Sequence, residues 1–286
     1  MRNSAAGRIA GIFGWPVAHS RSPLLHGFWL DFYGIDGAYV PLAVAPEHFD
    51  RALRILPRLG FVGANVTVPH KEAALEAVDD ADELAQKIGA VNTVVVREDG
   101  SLHGSNTDAF GFIENLREFV PEWTASSGPA VVVGAGGAAR AIAFALVDGG
   151  APEIRIVNRT TARADALADE LGPAARTWPW IDRAGSLNEA GLLVNTTKLG
   201  MQGEASLDLP LDALPQEAVV TDAVYVPLET ALLAEAAERG NRVVDGLGML
   251  LHQARPGFEV WFGVTPVVTE ELRAYVEADL KGLPRT

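Results

Sequence analysis

The sequence predicts an α/β protein with two domains, each built on a sheet of mostly parallel strands. Strand-like and helical runs alternate along almost the whole chain, which is the pattern of strand–helix–strand units. A loop-like stretch at residues 121–129 separates two such series. The length of 286 residues suffices for two domains of ordinary size.

The composition excludes several kinds of site. Without cysteine the chain can form neither disulfides nor thiolate or cysteine-zinc sites, and its six histidines match no zinc motif, so no metal site is predicted. The formal net charge of −14 argues against a nucleic-acid partner, because phosphates need a basic surface. Apolar stretches such as residues 129–135 are too short to cross a bilayer, and the N-terminus lacks a secretion signal. We therefore expect a cytoplasmic protein with no membrane partner.

In the first half, apolar runs predict four strands, at residues 8–14, 38–44, 61–68 and 90–96. Ser22 is expected to cap a helix that has Pro23 at its first position and ends at Gly34. Residues 46–60 predict a second, amphipathic helix that ends in a glycine.

In the second half, strands are predicted within four segments, at residues 130–135, 153–159, 190–197 and 218–225. Helices are expected after the first of these strands, at residues 229–240 and at residues 267–280. We expect the last helix to return to the first domain.

A glycine-rich turn follows the first strand of the second half and directly precedes a helix. Its GxGxxA pattern is typical of dinucleotide binding. Gly134 would make the tight turn, Gly136 would let a pyrophosphate approach the backbone, and Ala139 would allow close helix–strand packing. This context favours a Rossmann-type domain over a merely flexible turn, and it predicts cofactor contacts from Gly134, Ala135, Gly136, Gly137 and Ala138.

The end of the next strand is where such domains discriminate the cofactor's ribose. An NAD enzyme usually has an acidic residue there, whereas this chain has Asn158, Arg159, Thr160 and Arg163. Guanidinium groups suit a 2′-phosphate, so we predict NADP as the cofactor. The alternative is a solvated, lightly basic helix start.

Polar residues cluster where strands of the first half end, and ligands of open α/β sheets collect at such ends. Hydroxyls and amides with one cation and one carboxylate suit a small hydroxylated acid. The members of these clusters are Ser20, Ser22, Asn65, Thr67, Lys71, Asn92, Asn106, Thr107 and Asp108.

The motifs of the whole chain, in their order, resemble one family. They are SxS, NVTxPxK, AVNT, NTDxxGF, GAGGAARA, NRT, NTTxxGM and DGxGMLLxQ. This order resembles the shikimate dehydrogenases, NADP-dependent oxidoreductases that reduce 3-dehydroshikimate on the route to chorismate and the aromatic amino acids. The resemblance implies a substrate domain at residues 1–107 and 246–286 and a Rossmann NADP-binding domain at residues 108–245.

The resemblance also implies roles for single residues. Ser20 and Ser22 would hold the substrate carboxylate, and the ring hydroxyls would be bound by Asn65, Thr67, Asn92, Asp108 and Gln253. Tyr225 would touch the substrate. Further cofactor contacts would come from Ala223, Gly246 and, as a weaker transfer, Glu83.

Lys71 resembles the catalytic lysine of the family, and Asp108 resembles its partner. Reducing a ketone by hydride leaves an alkoxide that must gain a proton, so a general acid is useful beside the carbonyl oxygen. A lysine is unusual in the first turn of a helix, where the dipole disfavours cations, which favours this role over that of a solvated lysine. The histidines, including His70 directly before the lysine, are expected to be pocket wall or surface.

Two other functions remain as alternatives. A quinate/shikimate dehydrogenase of broader specificity would often prefer NAD, which the two arginines disfavour. A non-catalytic homologue that senses NADP and an anion would not need the lysine and the aspartate, both of which are present. Monomer and homodimer are both compatible with the sequence.

Overall fold

The computed structural model describes residues 4–283, which form two compact units. The first unit contains the described residues up to Thr107 together with those from Leu251 onward, and the second unit is Asp108–Leu250. The predicted fold class is confirmed, since one sheet is mixed but mostly parallel and the other is wholly parallel.

Within its described residues, the first unit has a six-stranded sheet. Its strands are β1 (Arg8–Gly14), β2 (Gly37–Ala43), β3 (Phe61–Val66), β4 (Asp80–Ala81), β5 (Thr93–Val96) and β6 (Leu102–Ser105). They lie in the order β2-β1-β3-β5-β6-β4, with β5 antiparallel to both of its neighbours and the other pairs parallel. The helices between them are α1 (Ser22–Phe32), α2 (Phe49–Arg54), α3 (Lys71–Ala77) and α4 (Glu83–Ile88).

Three predicted boundaries in this unit differ from the structure. Helix α1 begins at Ser22 with Arg21 as its cap, so the prediction that Ser22 caps it is wrong. The single helix expected over 46–60 is instead α2 between two 3-10 turns, because Pro57 has no N–H to continue the helical ladder. The strand expected from residue 90 starts at Thr93, since the backbone N–H of Val91 donates to the carbonyl of Lys71.

Residues 108–250, all of which are described, contain the second six-stranded sheet. Its strands are β7 (Ala130–Val133), β8 (Ile154–Val157), β9 (Ala175–Trp178), β10 (Leu192–Asn195), β11 (Val219–Asp222) and β12 (Arg242–Val244). The helices that begin and end in this unit are α5 (Asp108–Phe119), α6 (Gly137–Asp148), α7 (Thr161–Leu171) and α8 (Ala231–Glu238). Two further helices complete the chain, α9 (Leu247–Phe262), which runs from the second unit into the first, and α10 (Glu270–Leu280).

The second sheet has the order β12-β11-β10-β7-β8-β9, with all pairs parallel. The chain starts in the middle at β7, runs outward through β8 and β9, and then returns to the other side of β7 at β10. Strands of this kind are buried on both faces: Ala130 and Val132 pack into one apolar cluster, and Val131 and Val133 into the other. The reversal between β7 and β10 opens a crevice at the carboxyl ends of these strands, which is where dinucleotides bind in such sheets.

Candidate active site

The predicted glycine turn lies at the reversal between β7 and β10. Gly134 has φ +117°, a conformation that side chains rarely adopt, and a Cβ there would lie 2.3 Å from the Thr196 hydroxyl. Thr196 directly follows β10, and its hydroxyl donates to the carbonyl of Val133 at 2.7 Å. This hydrogen bond fixes the position of the hydroxyl. Only glycine fits this position.

Gly136 and Gly137 have the opposite surroundings. Gly136 caps α6, Gly137 is its first residue, and a Cβ added to either would meet no described atom within 4 Å. The two residues are exposed, while Ala139 is fully buried against the sheet and Ala135 and Ala138 are half-buried. The unpaired N–H groups of the helix start therefore face open space that a pyrophosphate could fill.

Two cations stand at the end of the neighbouring strand β8. Arg159 and Arg163 are exposed, and neither guanidinium has an ion pair or hydrogen bond with any residue of 4–283. Asn158 donates from Nδ2 to the carbonyl of Thr160 at 2.8 Å, which ties together the turn that carries them. In a chain of net charge −14, two unpaired arginines beside the glycine turn fit the added phosphate of NADP.

At the ends of β11 and β12, two turns of the backbone lie close together. A Cβ at Gly246 would lie 2.6 to 2.7 Å from the carbonyl oxygens of Asp222, Ala223 and Val224. The N–H of Ala223 donates to the carbonyl of Asn195 at 2.8 Å, and half-buried Tyr225 follows two residues later. Predicted cofactor contacts Ala223 and Gly246 are thus packed against each other.

The buried Asp222 carboxylate organises this turn, a function that the sequence reasoning missed. It accepts hydrogen bonds from Asn195 Nδ2 (2.9 Å), the N–H of Val224 (2.9 Å) and the Thr230 hydroxyl (2.8 Å). Burial raises the pKa of Asp222 although these three donors act against the rise. The signal in the sequence is a polar residue at the end of each of two strands, Asn195 in NTT and Asp222 in DAVY.

In the first unit, strand pairing brings the predicted polar residues to one edge. Asn65 pairs with Thr93, and Thr93 pairs with Ser105. Because β5 is antiparallel to its neighbours, its beginning lies beside the ends of β3 and β6. Thr67, Asn92, Asn106 and Thr107 follow or precede these strand ends, and we call this group with Asn65 and Thr93 the polyol edge.

Asn92 is the centre of the polyol edge. Its Oδ1 accepts hydrogen bonds from the Thr107 N–H (2.9 Å), the Thr107 hydroxyl (3.2 Å) and the Thr93 hydroxyl (3.0 Å). Asn92 is buried, as are Thr93 and Thr107. Since the amide oxygen is saturated, the direction in which the amide nitrogen points is determined. Nearby, Asn106 donates from Nδ2 to the carbonyl of Ala90 at 2.9 Å.

Asn65 is bonded on both sides of its amide. Its Nδ2 donates to the carbonyl of Asn92 and to the Thr93 hydroxyl, both at 3.1 Å, and its Oδ1 accepts from the Tyr39 hydroxyl at 2.6 Å. Tyr39 and Thr93 were absent from the predicted site. Their involvement follows from strand register, which the local sequence does not display.

The two predicted carboxylate-binding serines form a short loop before α1. Ser20 Oγ accepts from the Ser22 N–H at 3.2 Å, and Ser20 N–H donates to the carbonyl of Val17 at 3.0 Å. Ser20 is half-buried and Ser22 is buried. Arg21 between them pairs with Asp279 on α10 at 2.7 Å.

Lys71 is the first residue of α3, and the residue directly before it, His70, is buried. His70 Nε2 lies 2.8 Å from the carbonyl of Val44, to which the neutral ring donates, and the ring stacks on Phe49 at 4.4 Å. Burial lowers the pKa of His70, which favours this neutral form. His70 is thus part of the core, and the surface alternative for it is wrong.

Asp108 is buried and is the first residue of α5, directly after Thr107. The N–H of Thr107 is bound by Asn92, so the backbone that leads to Asp108 starts from the polyol edge. Gln253 is half-buried on α9.

The chain matches two family models. Residues 12–94 match the shikimate dehydrogenase substrate binding domain, and residues 120–199 match shikimate / quinate 5-dehydrogenase. The shikimate dehydrogenase (NADP(+)) of Paramagnetospirillum magneticum is 63% identical over 96% of this chain and 99% of its own length. The chain belongs to the shikimate dehydrogenase family.

Two solved structures show the range of this family. Shikimate 5-dehydrogenase from Thermus thermophilus, in complex with NADP(H) and shikimate, is 40% identical over 96% of this chain and all 100% of its own, with a TM-score of 0.85. Quinate dehydrogenase from Corynebacterium glutamicum, in complex with NAD, is 30% identical over 96% of this chain and 99% of its own, with a TM-score of 0.87. The predicted family and the predicted class of enzyme, an NADP-dependent oxidoreductase, are confirmed.

Two charged residues near the family's motifs have partners of their own. Glu83, exposed at the start of α4, pairs with Lys87 at 2.6 Å, and that hydrogen bond lowers its pKa. Lys198 in NTTKLGM pairs with Glu204 at 2.7 Å.

Among the described residues, no group of three or more histidine and acidic side chains could hold a metal ion. None of the helices within 4–283 combines the length and apolar character that a membrane span requires.

Proposed function

We propose that the chain catalyses the reversible NADPH-dependent reduction of 3-dehydroshikimate to shikimate, with Lys71 as general acid and base and Asp108 as its partner. The observation that carries the proposal is the polyol edge. A row of buried, mutually oriented amides and hydroxyls is suited to a small molecule that carries several hydroxyl groups.

In this proposal the substrate lies along the first unit's strand ends. Ser20 and Ser22 hold its carboxylate, with support from the N-terminal end of α1. The ring hydroxyls are bound by Asn65, Thr67, Asn92, Asp108 and Gln253, and Tyr225 contacts the substrate. Asn65 and Asn92 act from fixed orientations, because the hydrogen bonds around them leave little freedom to rotate.

The second unit holds the cofactor, which supplies a hydride when bound. The turn from Gly134 to Ala138 receives the pyrophosphate, where Gly136 and Gly137 leave open space. The 2′-phosphate is held by Asn158, Arg159, Thr160 and Arg163. Ala223 and Gly246 border the nicotinamide, and Glu83 is the weakest of the proposed contacts because its carboxylate already pairs with Lys87.

Hydride transfer creates a negative charge, which requires a proton donor in the site. When the ketone carbon gains a hydride, its oxygen becomes an alkoxide, and the Lys71 ammonium donates a proton to it. In the oxidation direction, the Lys71 amine accepts the proton of the alcohol. Asp108 orients the ammonium and accepts a hydrogen bond from a substrate hydroxyl.

The test is a spectrophotometric assay in which the purified chain forms NADPH from NADP or NADH from NAD. Shikimate and quinate are each combined with NADP and with NAD. With shikimate, we expect kcat/KM for NADP to exceed that for NAD by at least about tenfold, the effect of one charge-assisted hydrogen bond to the 2′-phosphate. Quinate should be the poorer substrate with either cofactor. Preference for quinate with NAD would establish the broader-specificity alternative. Tight NADP binding without turnover would establish the sensor alternative.

The cytoplasmic location, the residue ranges of the two predicted domains and the choice between monomer and homodimer stay predictions.

A further inference from the structure

Tyr39 is a buried residue of β2 that lies among aromatic rings. Its ring stacks face to face on His26, with centroids 3.9 Å apart and planes 4° from parallel. Trp261 packs at 6.1 Å from the same ring. A ring held on two sides in this way cannot rotate freely, so the direction of its hydroxyl is determined.

The Tyr39 hydroxyl joins two groups of the proposed substrate site. It donates to Asn65 Oδ1 at 2.6 Å, and the Ser22 side chain lies near the same phenol, whose pKa it lowers against the effect of burial. Burial raises the pKa of Tyr39, so the hydroxyl keeps the proton that it donates. Ser22 belongs to the carboxylate loop and Asn65 to the polyol edge, and the two are 43 positions apart in the chain.

The hydrogen bond to Asn65 has consequences further along the polyol edge. With Oδ1 bound by Tyr39, the Asn65 Nδ2 must face the carbonyl of Asn92 and the hydroxyl of Thr93. Thr93 can then donate its own proton to Asn92 Oδ1, which also accepts from Thr107. Without the phenol, Asn65 Oδ1 would lose the donor bonded to it, and only the two contacts of Nδ2 would hold the amide in place.

His26 lies behind the Tyr39 ring. It is fully buried, and Trp29 and Phe258 enclose it at 5.8 Å. Its aromatic face supports the Tyr39 ring.

We propose that Tyr39 is a positioning residue for substrate binding, which aligns the Ser22 loop and the Asn65 amide through one hydroxyl group. The inference rests on the proposed function. Tyr39 itself touches neither substrate nor cofactor in this arrangement, and its effect reaches the substrate only through Ser22 and Asn65.

The experiment compares Tyr39→Phe with Tyr33→Phe. Tyr33 is a matched control, because its hydroxyl also takes part in a hydrogen bond, which it accepts from the N–H of Val267 at 3.1 Å, and because its ring packs on Phe258. We expect Tyr39→Phe to raise KM for shikimate about tenfold, the effect of one to two lost hydrogen bonds, with kcat and the KM for NADP changed by less than about threefold. Tyr33→Phe should leave all three constants near wild-type values.

The route of the effect is tested in an Asn65→Ala background. If Tyr39 acts chiefly through Asn65, adding Tyr39→Phe there should raise KM for shikimate by less than about twofold. Multiplication of the single effects both in this background and in a Ser22→Ala background would overturn the inference, as would equal behaviour of Tyr39→Phe and Tyr33→Phe. Should Tyr39→Phe be too unstable for kinetics, the rise in melting temperature with added shikimate gives the same comparison at binding equilibrium.

The two proposals fail in different ways. A wild-type chain that does not oxidise shikimate refutes the proposed function. A wild-type chain that does so, together with an unchanged KM in Tyr39→Phe, refutes only the role of Tyr39.

Discussion

The candidate sites of both units lie at the carboxyl ends of strands, yet different groups form the two edges. In the first unit, the polyol edge consists of buried side chains that hold one another, such as Asn65 and Asn92. In the second unit, the edge consists of backbone and of glycines, with Arg159 and Arg163 exposed beside it. The difference teaches that a small polyol requires directed hydrogen bonds from rigid side chains, whereas a dinucleotide requires room for close backbone approach and a local positive charge.

In the proposed function, the first unit carries out the chemical step and the second binds the cofactor, so Lys71→Met should have the largest effect. The methionine keeps the length of the side chain and removes its proton. We expect kcat to fall by about 10² to 10⁴, with a modest change in KM for shikimate, because a general acid and base is lost. Lys281→Met, which removes an exposed lysine that directly follows α10, is the control and should keep its activity. A Lys71→Met enzyme with more than about half of the wild-type kcat would refute the assignment.

Gly246→Ala tests whether the second edge depends on backbone approach. The new Cβ would lie 2.6 to 2.7 Å from three carbonyl oxygens that cannot rotate away, so the turn must shift. Overpacking of this kind costs about 1 to 3 kcal/mol, and if the shift of the turn is felt fully in cofactor binding, KM for NADP should rise by roughly 5- to 150-fold. The control is Gly27→Ala in α1, where a Cβ meets no described atom within 4 Å. Equal cofactor binding by both variants would mean that side-chain volume at this turn is unimportant.

Arg159→Ala tests the charge at the second edge. The guanidinium has no partner among the described residues, so its removal should leave the fold intact and weaken only the contact with the 2′-phosphate. We expect the ratio of kcat/KM for NADP to that for NAD to fall about tenfold, in line with a charge-assisted hydrogen bond. Arg58→Ala, an exposed arginine of the first unit, should leave the ratio unchanged. The prediction fails if Arg159→Ala has the same ratio as wild type.

Two buried groups, His26 in the first unit and Asp222 in the second, should make stability depend on pH in opposite directions. Burial lowers the pKa of His26 from 6.5 to about 3. Below pH 6.5 the unfolded chain binds a proton that the folded chain does not, so stability is present above this pH and is lost on acidification, by about 1.4 kcal/mol per pH unit. Burial raises the pKa of Asp222, so above its ordinary value of 3.8 the folded state holds more protons and acidification stabilises it.

Urea unfolding at pH 7.5, pH 5.5 and pH 4 measures this difference. Between pH 7.5 and pH 5.5, the free energy of unfolding of His26→Phe should fall less than that of wild type. On further acidification towards the ordinary Asp222 pKa of 3.8, that of Asp222→Asn should fall more than that of wild type. Identical pH dependence of all three proteins would show that neither buried group contributes as proposed.

Local motifs explain how much of the molecule the sequence predicts. The strand of residues 8–14 and the turn at Gly134 are recognisable because a run of apolar residues and a required backbone conformation are properties of adjacent positions. The helix expected over 46–60 is interrupted because Pro57 outweighs the amphipathic pattern around it. Ser22 does not cap α1, since the helix already begins at Ser22 and Arg21 takes the cap position.

By itself, the sequence determined the α/β class, the dinucleotide turn and the residue types at the strand ends, because each depends on neighbours along the chain. The tertiary structure alone decided which of these side chains hold one another. Tyr39 meets Asn65, and Asn195 meets Asp222, at separations of 26 and 27 residues. Such pairs depend on the register of strands that lie far apart in sequence, and a hydrogen bond forms only where that register brings donor and acceptor within about 3 Å.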